Sequence, residues 1–367
     1  MPKAAVLMAY NEPLVTKDIQ IAPPGPGEVK VKIAASGVCH SDLSVKNLTM
    51  PLPVPIVLGH EGAGVVTEVG QGVTQVAEGD HVVISWVPQC GECFFCTRGQ
   101  GYLCEAPATA FVTGGLLDGT TRFSDGDTSI HQMACSGTFS EETIVPAIGC
   151  VKIPDDVPLA RAALIGCGVQ TGVGAALNTA DISEGDTVAV VGCGGVGLNV
   201  IQGAKLAGAA EIIAIDMVAG KLEMAKKFGA TQTVDASETT GLAGVMELTG
   251  QRGADVAFEV IGLKQTIDET INMTRRGGQA ILVGVPAMDV MLEIPANLGM
   301  VIASKTVKGC WYGSSNVQKT VPQLLQLHRD GKLMLDELIS RTITINDVNE
   351  AFEAMEKGEV ARSVIEY

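Results

Sequence analysis

The chain has 367 residues, of which 46% are hydrophobic and 18% charged, so it can bury a sizeable core and is not a disordered polypeptide. At about 100–200 residues per domain, this length predicts two domains. The formal charge of −16 and an aromatic content of 4% argue against a nucleic-acid-binding protein, which needs basic side chains for phosphates and rings for bases.

The N-terminal segment predicts the location of the protein. It is apolar only as far as Tyr10, then meets Glu12 and Pro13 without a cleavage site, so we predict no secretory signal. No apolar run reaches the roughly 18–20 residues that span a bilayer. We therefore expect a cytoplasmic protein without a membrane partner. Ten cysteines in such a chain indicate metal binding or catalysis before disulfides.

Residues 1–168 have the texture of an irregular β-rich domain. Short predicted strands are broken by glycine and proline, as at Val29–Ala34, Gly64–Val69 and His81–Ser85. The tail after Gly309 returns to mixed strand and helix. We expect residues 312–367 to complete this first domain, which would then be discontinuous.

Two short motifs in this domain and one at its end carry metal-ligating side chains. Cys39-His-Ser-Asp42 follows a predicted strand, Gly59-His-Glu-Gly62 follows an apolar run, and Gly166-Cys-Gly168 ends the domain. Two thiolates and one imidazole are the ligand set of an open catalytic zinc site. Spacing does not show that the three residues meet in space, and each one taken singly favours a buried structural residue over a metal ligand.

A third cluster is local. Cys90-x-x-Cys93-x-x-Cys96 is followed by Cys104, which places four thiols in a 15-residue segment. This pattern matches a closed tetrahedral zinc site with no position left for chemistry. Buried structural thiols and an iron–sulfur cluster are the alternatives.

Residues 169–311 alternate between apolar strands and periodic helices. Strands buried on both faces and joined by crossover helices predict a doubly wound parallel sheet. The helices expected are Gly197–Ala207 and Gly220–Phe228. The predicted strands are Thr187–Val191, Glu211–Ile215, Thr231–Val234, Ala254–Val260, Gln279–Val283 and Thr306–Lys308.

The first strand of this domain ends in Gly192-Cys-Gly-Gly-Val-Gly197, of the form G-x-G-x-x-G, and a helix follows. Such a loop admits a pyrophosphate to the helix N-terminus. Asp216 ends the second strand. A carboxylate at this position accepts hydrogen bonds from the ribose hydroxyls of NAD and repels the extra phosphate of NADP. Lys221 could add a ribose contact. The alternative is a glycine-rich turn without a ligand.

Taken together, the motifs resemble the zinc-dependent medium-chain alcohol dehydrogenases, in particular the long-loop branch with the liver-type and glutathione-dependent formaldehyde enzymes. The resemblance covers essentially the whole chain, including Asp118–Phe123 and Gly137-Thr-Phe-Ser140. It implies a GroES-like β-rich catalytic domain beside a Rossmann NAD-binding domain, NAD and two zinc ions per subunit, and a homodimer.

The resemblance also implies roles for individual residues. Cys39, His60 and Cys167 would bind the catalytic zinc, with Glu61 behind the metal, and the four-cysteine lobe would bind the structural zinc. Asp42 would orient the ligand histidine and Ser41 would take the alcohol proton. Trp86 and Phe139 would form the substrate pocket, with core packing as the alternative. The residues implied to contact the cofactor are His40, Thr171, Gly192, Gly194, Gly195, Val196, Gly197, Asp216, Lys221, Val285 and Arg362.

Two departures from the family pattern bear on mechanism and substrate. Ser44 stands where the liver-type enzymes end their proton path with a histidine. Ala108, Thr49 and Pro51 replace the charged residues that hold glutathione in the formaldehyde enzyme. We therefore predict an NAD-dependent oxidation of an ordinary primary or secondary alcohol to its aldehyde or ketone. S-(hydroxymethyl)glutathione dehydrogenase activity and a non-catalytic NAD(H)-binding sensor are the alternatives.

Overall fold

The computed structural model describes residues 1–358 and 361–367. The chain forms two compact units, Met1–Gly168 with Asn316–Tyr367 and Val169–Ser315. The second boundary lies four residues later than the predicted return to the first domain. Each unit has its own sheets and core.

The longest strand of the first unit buries alternate side chains in one apolar cluster. In β4 (Glu28–Gly37), Val29, Val31 and Ile33 all point into one apolar cluster, as the two-residue period of a strand requires. The elements up to residue 168 are β1 (Lys3–Leu7), β2 (Val15–Asp18), β3 (Gln20–Ile21), β4, α1 (His40–Lys46), β5 (Ile56–Val57), β6 (Glu61–Val69), β7 (His81–Ile84), α2 (Ala108–Thr113), β8 (Phe123–Asp125), β9 (Thr128–Gln132), β10 (Glu142–Pro146), β11 (Cys150–Lys152) and α3 (Leu159–Leu164).

The second unit contains a six-stranded sheet in which every pairing is parallel. β12 (Thr187–Val191) is buried along its whole length, because helices cover both faces of such a sheet. The remaining elements are α4 (Gln170–Gly174), β12, α5 (Gly195–Leu206), β13 (Glu211–Asp216), α6 (Ala219–Phe228), β14 (Gln232–Asp235), α7 (Gly241–Leu248), β15 (Ala254–Glu259), α8 (Lys264–Met273), β16 (Thr274–Leu282) and β17 (Thr306–Gly309).

The C-terminal segment returns to the first unit. Its elements are α9 (Val317–Arg329), β18 (Ile339–Ile343), α10 (Val348–Glu356) and β19 (Arg362–Glu366). The first unit has one sheet in the order β2-β1-β5-β9-β8-β3 and another in the order β11-β7-β6-β4-β19-β18, with β10 also pairing with β4. β19 runs antiparallel to β4, so the end of the chain lies against the strand that leads to Cys39.

The sheet order of the second unit is β14-β13-β12-β15-β16-β17. Counted from β12, this is the 3-2-1-4-5-6 order of the doubly wound dinucleotide-binding fold. The order reverses between β12 and β15, and ligands of such folds bind at the carboxyl ends of the strands beside that point. The glycine motif follows β12 at this edge.

One stretch of helix bears on the predicted absence of a membrane span. One helical stretch, Leu159–Thr179, is long and apolar enough to cross a membrane by length and composition, so the expectation that no run is long enough does not hold for it. Of its most apolar window, 78% is buried, as in the core helix of a globular protein.

Short helical turns complete the described chain. The π-helical turns are Ile165–Val169, Ala175–Thr179 and Ala296–Val301, and the 3₁₀ turns are Cys96–Arg98, Gly101–Leu103, Met133–Cys135, Ala147–Gly149, Tyr312–Ser314, Asp336–Leu338 and Ile345–Asp347.

Candidate active site

Three elements of the first unit bring Cys39, His60 and Cys167 together. Cys39 caps the N-terminus of α1, His60 immediately precedes β6, and Cys167 lies in the π-helical turn after α3. Their ligand atoms and a carboxylate oxygen of Glu61 all lie within 4.8 Å of one another. All four residues are buried. Residues up to 128 positions apart in the sequence thus form one metal-binding cluster.

Asp42 holds two parts of this cluster in place. Its carboxylate accepts hydrogen bonds from the backbone N–H groups of Cys39 (2.9 Å) and Gly59 (3.0 Å), and its Oδ1 lies 3.0 Å from His60 Nδ1. Burial opposes a charge on His60, but Asp42 raises the pKa of the imidazole well above its usual range. With Nδ1 engaged, Nε2 is the nitrogen left for a metal.

Glu61 forms a buried ion pair with Arg362. Arg362 Nη2 donates to Glu61 Oε1 at 3.1 Å and lies 3.7 Å from Cys39 Sγ. Glu61 Oε1 also accepts a hydrogen bond from the Gly168 N–H at 3.2 Å. Burial raises the pKa of Glu61 to about 7. Glu61 Oε2 has no hydrogen-bond partner among the described residues. The pair leaves one carboxylate oxygen available to a cation.

The pair needs glycines on both sides. A Cβ on Gly37 would overlap Glu61 Oε2, and one on Gly168 would lie 2.6 Å from Arg362 Nη2. Sequence reasoning assigned Arg362 to a cofactor phosphate and did not find its pairing with Glu61. No local signal links two residues 301 positions apart. The contacts shown for Arg362 are with the metal cluster, and its contact with the cofactor stays a prediction.

The chemistry of the donor set fits zinc. The Cys167 thiol donates toward Cys39 and lowers the pKa of Cys39 well below its usual range, while the same contact and burial raise the pKa of Cys167. Metal binding requires both thiols to be deprotonated, and a divalent cation favours that state. Two sulfurs and one imidazole nitrogen suit zinc and leave a fourth position open for a ligand.

The four-cysteine lobe also has the spacing of a metal site. The Cys90 Sγ lies 3.5 Å from that of Cys104 and 4.0 Å from that of Cys96, and the Cys93 and Cys104 sulfurs are 4.0 Å apart. In a tetrahedron with Zn–S bonds of about 2.3 Å, the sulfurs lie about 3.8 Å apart. Backbone amides of Glu105 and Cys96 lower the pKa of Cys93 to about 6. This spacing fits a single ion and argues against a multi-iron cluster.

The structure separates the two predicted pocket residues. The Trp86 ring meets the His60 ring edge-on at 6.3 Å and packs against Phe111 at 6.1 Å, so it lies beside the metal cluster. Phe139 is fully buried in the apolar core and packs against Phe352 at 6.4 Å. The enclosure of its ring favours the core-packing alternative, and the assignment of Phe139 to the pocket wall stays a prediction.

Three glycines of the motif in the second unit differ in what a side chain would meet: two are required by packing and one is not. Gly192 has a φ of +98°, and a Cβ there would lie 2.6 Å from Ile261 Cγ1. A Cβ on Gly197 would overlap the Gly192 carbonyl oxygen. A Cβ on Gly194 would meet no protein atom within 4 Å, so packing does not require glycine there. The open space beside Gly194, at the N-terminus of α5, suits a phosphate group.

The remaining predicted cofactor residues lie at several places. Asp216, at the end of β13, accepts hydrogen bonds from the N–H groups of Cys193 (2.9 Å) and Val218 (3.0 Å). Thr171 Oγ1 is buried without a partner among the described residues. His40 is exposed at the start of α1, and Lys221 lies in the first turn of α6. Ser41, the residue predicted to take the alcohol proton, has its Oγ 3.9 Å from Cys39 Sγ. Gly195 and Val196 begin α5. Val285 is 61% exposed.

Comparison with known proteins identifies the class. A family model described as an alcohol dehydrogenase GroES-like domain matches residues 25–155, and one described as a zinc-binding dehydrogenase matches residues 195–329. The two matched segments fall in the first unit and largely in the second. They confirm the predicted pairing of a GroES-like domain with a Rossmann-type domain.

Full-length relatives give the family. The chain is 40% identical to an NDMA-dependent alcohol dehydrogenase of Amycolatopsis methanolica, covering 99% of this chain and 98% of that protein. It is 39% identical to an S-(hydroxymethyl)glutathione dehydrogenase of Synechocystis sp., covering 100% and 99%. The crystal structure of benzyl alcohol dehydrogenase from Acinetobacter calcoaceticus superposes with a TM-score of 0.93 at 30% identity, covering 100% and 99%. The chain belongs to the zinc-dependent medium-chain alcohol dehydrogenase family, as predicted, and is an oxidoreductase.

Proposed function

We propose that this protein catalyses the reversible oxidation of a primary or secondary alcohol to an aldehyde or ketone, with hydride transfer to NAD. The observation that carries the proposal is the convergence of Cys39, His60 and Cys167, whose ligand atoms lie within 4.8 Å of one another in a buried cluster. These residues would hold a zinc ion, which would supply Lewis-acid chemistry that lowers the pKa of an alcohol hydroxyl.

The residues around the metal have supporting tasks. Asp42 fixes the His60 ring so that Nε2 faces the ligand position. The Ser41 hydroxyl, 3.9 Å from the Cys39 sulfur, takes the proton released by the alcohol. Ser44 offers a hydroxyl where liver-type relatives have histidine, so the proton path beyond Ser41 leads to another group or to solvent. Trp86 forms an apolar wall beside the metal.

The second unit would hold NAD. Gly192 and Gly197 shape the loop, and Gly194 leaves room for the pyrophosphate. The Asp216 carboxylate would accept the ribose hydroxyls, which disfavours NADP. We assign further cofactor contacts to Gly195, Val196, Lys221, Thr171, Val285, His40 and Arg362. A second zinc, bound by Cys90, Cys93, Cys96 and Cys104, would stabilise the lobe without taking part in the reaction.

The substrate is an ordinary alcohol in this proposal. Because one relative is named S-(hydroxymethyl)glutathione dehydrogenase, the glutathione adduct of formaldehyde is the competing substrate for this chain. Ala108, Thr49 and Pro51 offer neither a cation nor an anion to glutathione, which argues against it. Formaldehyde turnover that depends on glutathione would favour that competing substrate.

The deciding experiment combines metal analysis with a substrate panel. We expect about two zinc ions per chain, and NADH absorbance to rise with primary, secondary or aromatic alcohols and NAD. A fully zinc-free preparation that oxidises alcohols undiminished would refute the proposal. The NDMA-dependent relative favours a second candidate, in which NADH stays bound and free NAD does not sustain turnover. Turnover seen only after NDMA is added would support that candidate.

We also propose a cytoplasmic homodimer. All ten cysteines are free of disulfides, which suits a reducing compartment. The second unit exposes Leu298 (71%), Val301 (77%) and Met288 (86%) in the segment of chain that precedes its edge strand β17, and a second copy would cover such apolar side chains. Val301→Glu should therefore yield monomers in sedimentation, whereas Val112→Glu, equally exposed in the first unit, should not. Two monodisperse monomeric variants and a monomeric wild type would contradict the dimer.

A further inference from the structure

The Gly-His-Glu-Gly motif packs against one side chain that the proposed reaction does not use. Thr138 is fully buried in the segment between β9 and β10, 78 residues after His60. A Cβ on Gly59 would lie 2.6 Å from Thr138 Oγ1, and a Cβ on Gly62 would lie 2.5 Å from Thr138 Cγ2. Thr138 therefore contacts both glycines that flank the His60–Glu61 pair: it shares the space beside Gly59 with Phe139 and is the nearest side chain to Gly62.

Thr138 is itself held from three directions. Its N–H donates to the Gly59 carbonyl at 3.0 Å, which ties its backbone to the motif. Its Oγ1 lies 2.6 Å from Ser36 Oγ, which fixes the side-chain rotamer, and Ser36 pairs with Gly62 across β4 and β6. The Tyr367 hydroxyl donates to the Thr138 carbonyl at 2.8 Å. The methyl and hydroxyl groups cannot exchange places without breaking the Ser36 bond.

We propose that Thr138 is a positioning residue for the catalytic metal site, acting through Gly59 and Gly62 on the backbone that carries His60 and Glu61. This inference rests on the proposed function. Asp42 binds the Gly59 N–H and the His60 ring, while Thr138 binds the Gly59 carbonyl and packs on Gly62. The two residues together fix the direction of the His60 side chain and leave Glu61 facing Arg362.

The first test is Thr138→Ser, which keeps the hydroxyl bonded to Ser36 and removes only the methyl group over Gly62. Loss of groups that orient metal ligands costs about 10–100-fold in affinity. With the association rate unchanged, we therefore expect the catalytic metal to pass to a chelator about 10-fold faster. Loading that site with Co²⁺ and following its visible absorption separates it from the lobe. Thr143→Ser is the matched control, because Thr143 is also fully buried but binds the Ser136 carbonyl instead.

The second test exchanges volume between the two positions. Gly62→Ala alone places a methyl group against Thr138 Cγ2 and should speed metal loss about 100-fold or more. Combining Gly62→Ala with Thr138→Ser vacates that space and should restore metal retention to within about 10-fold of Thr138→Ser. A double variant no better than Gly62→Ala would overturn the proposed contact.

The positioning role and the proposed function fail in different ways. Suppose that the wild-type protein holds a metal at the catalytic site and that Thr138→Ser releases this metal at the wild-type rate, with kcat and KM unchanged. The positioning role is then wrong and the proposed function stands. That outcome overturns the role even if Thr138→Ser melts at a lower temperature, as Thr143→Ser should. A wild-type protein that binds metal only at the lobe would overturn both.

Discussion

At the scale of single residues, the cluster of Cys39, His60 and Cys167 depends on a buried carboxylate that backbone N–H groups hold in place. Asp42 has no exposed surface and accepts from two N–H groups besides facing His60 Nδ1. An unpaired buried donor costs about 1–3 kcal/mol, so each of these bonds constrains the site strongly. The position of His60 thus follows from a residue 18 positions earlier.

Asp42→Asn tests this dependence. The amide has one oxygen and one NH₂ group, so an NH₂ must face a backbone N–H or the His60 ring, and one donor loses its partner. We expect the catalytic zinc to bind about 10–100-fold more weakly in competition with a chelator. Asp156→Asn, which changes an exposed carboxylate paired with Arg329, should leave zinc affinity unchanged. Equal affinities in all three proteins would remove the orienting role of Asp42.

At the scale of elements, the loop between β12 and α5 combines packing and ligand requirements in one motif. A Cβ on Gly197 overlaps the Gly192 carbonyl, while a Cβ on Gly194 meets open space. The φ of Gly194 is −77°, which alanine also adopts. The two glycines should therefore respond differently to the same substitution.

Gly197→Ala should destabilise the protein by about 3 kcal/mol, the upper end of the usual cost of overpacking, because the atom it overlaps is a backbone carbonyl oxygen. Gly194→Ala should change the free energy of unfolding by about 1 kcal/mol or less, yet weaken NADH binding at least about 10-fold. Urea unfolding and fluorescence titration with NADH measure the two quantities. Unchanged NADH affinity in Gly194→Ala would refute a pyrophosphate at this position.

The loop that precedes β8 is fastened to β4 by an ion pair with a measurable pH dependence. Arg122 binds Glu28 through Nε (2.9 Å) and Nη2 (2.6 Å), and its Nη2 also binds Asp118 at 2.8 Å. Burial alone would raise the pKa of Asp118, but hydrogen bonds from Arg122 and Thr120 lower it to about 2. A lowered pKa stabilises the fold above the unfolded value of about 3.9 and ceases to do so as the pH falls through about 2.

Asp118→Asn should therefore lower the free energy of unfolding at pH 6, by less than about 1 kcal/mol because the carboxylate is half exposed. The difference from wild type should begin to close below about pH 4. Urea unfolding from pH 6 down to pH 3 follows it, with Asp127→Asn as the control for net charge. A difference that widens toward acid would contradict the assigned cause.

At the scale of the whole molecule, the two metal clusters have separable consequences. Cys93→Ala opens the lobe, and because zinc-binding free energy contributes to folding, we expect the melting temperature to fall by about 10 °C or more. Cys39→Ala should abolish turnover while NADH binding survives, since the glycine motif belongs to the other unit. Scanning calorimetry and NADH titration measure these effects. A Cys93→Ala protein as stable as wild type would contradict the structural role.

The sequence by itself determined the features that are written locally. The period of the apolar strands, the glycine motif with Asp216 at the next strand end, and the four cysteines in a 15-residue segment each lie within a short stretch, so spacing reveals them. The doubly wound sheet and the family followed from these patterns. The motifs also marked Cys39, His60 and Cys167 as possible ligands, but their convergence and the role of Asp42 were predicted only because the motifs resemble a known family.

Only the tertiary structure decided which distant side chains meet. Three contacts join residues that are far apart in the sequence: the Glu61–Arg362 pair, the burial of Phe139 in the core, and the packing of Thr138 against Gly59 and Gly62. Such contacts depend on strand register and on the return of β19 beside β4, which no local pattern encodes. Local spacing fixes which chemistry a segment can offer, and packing fixes which partner that chemistry finds.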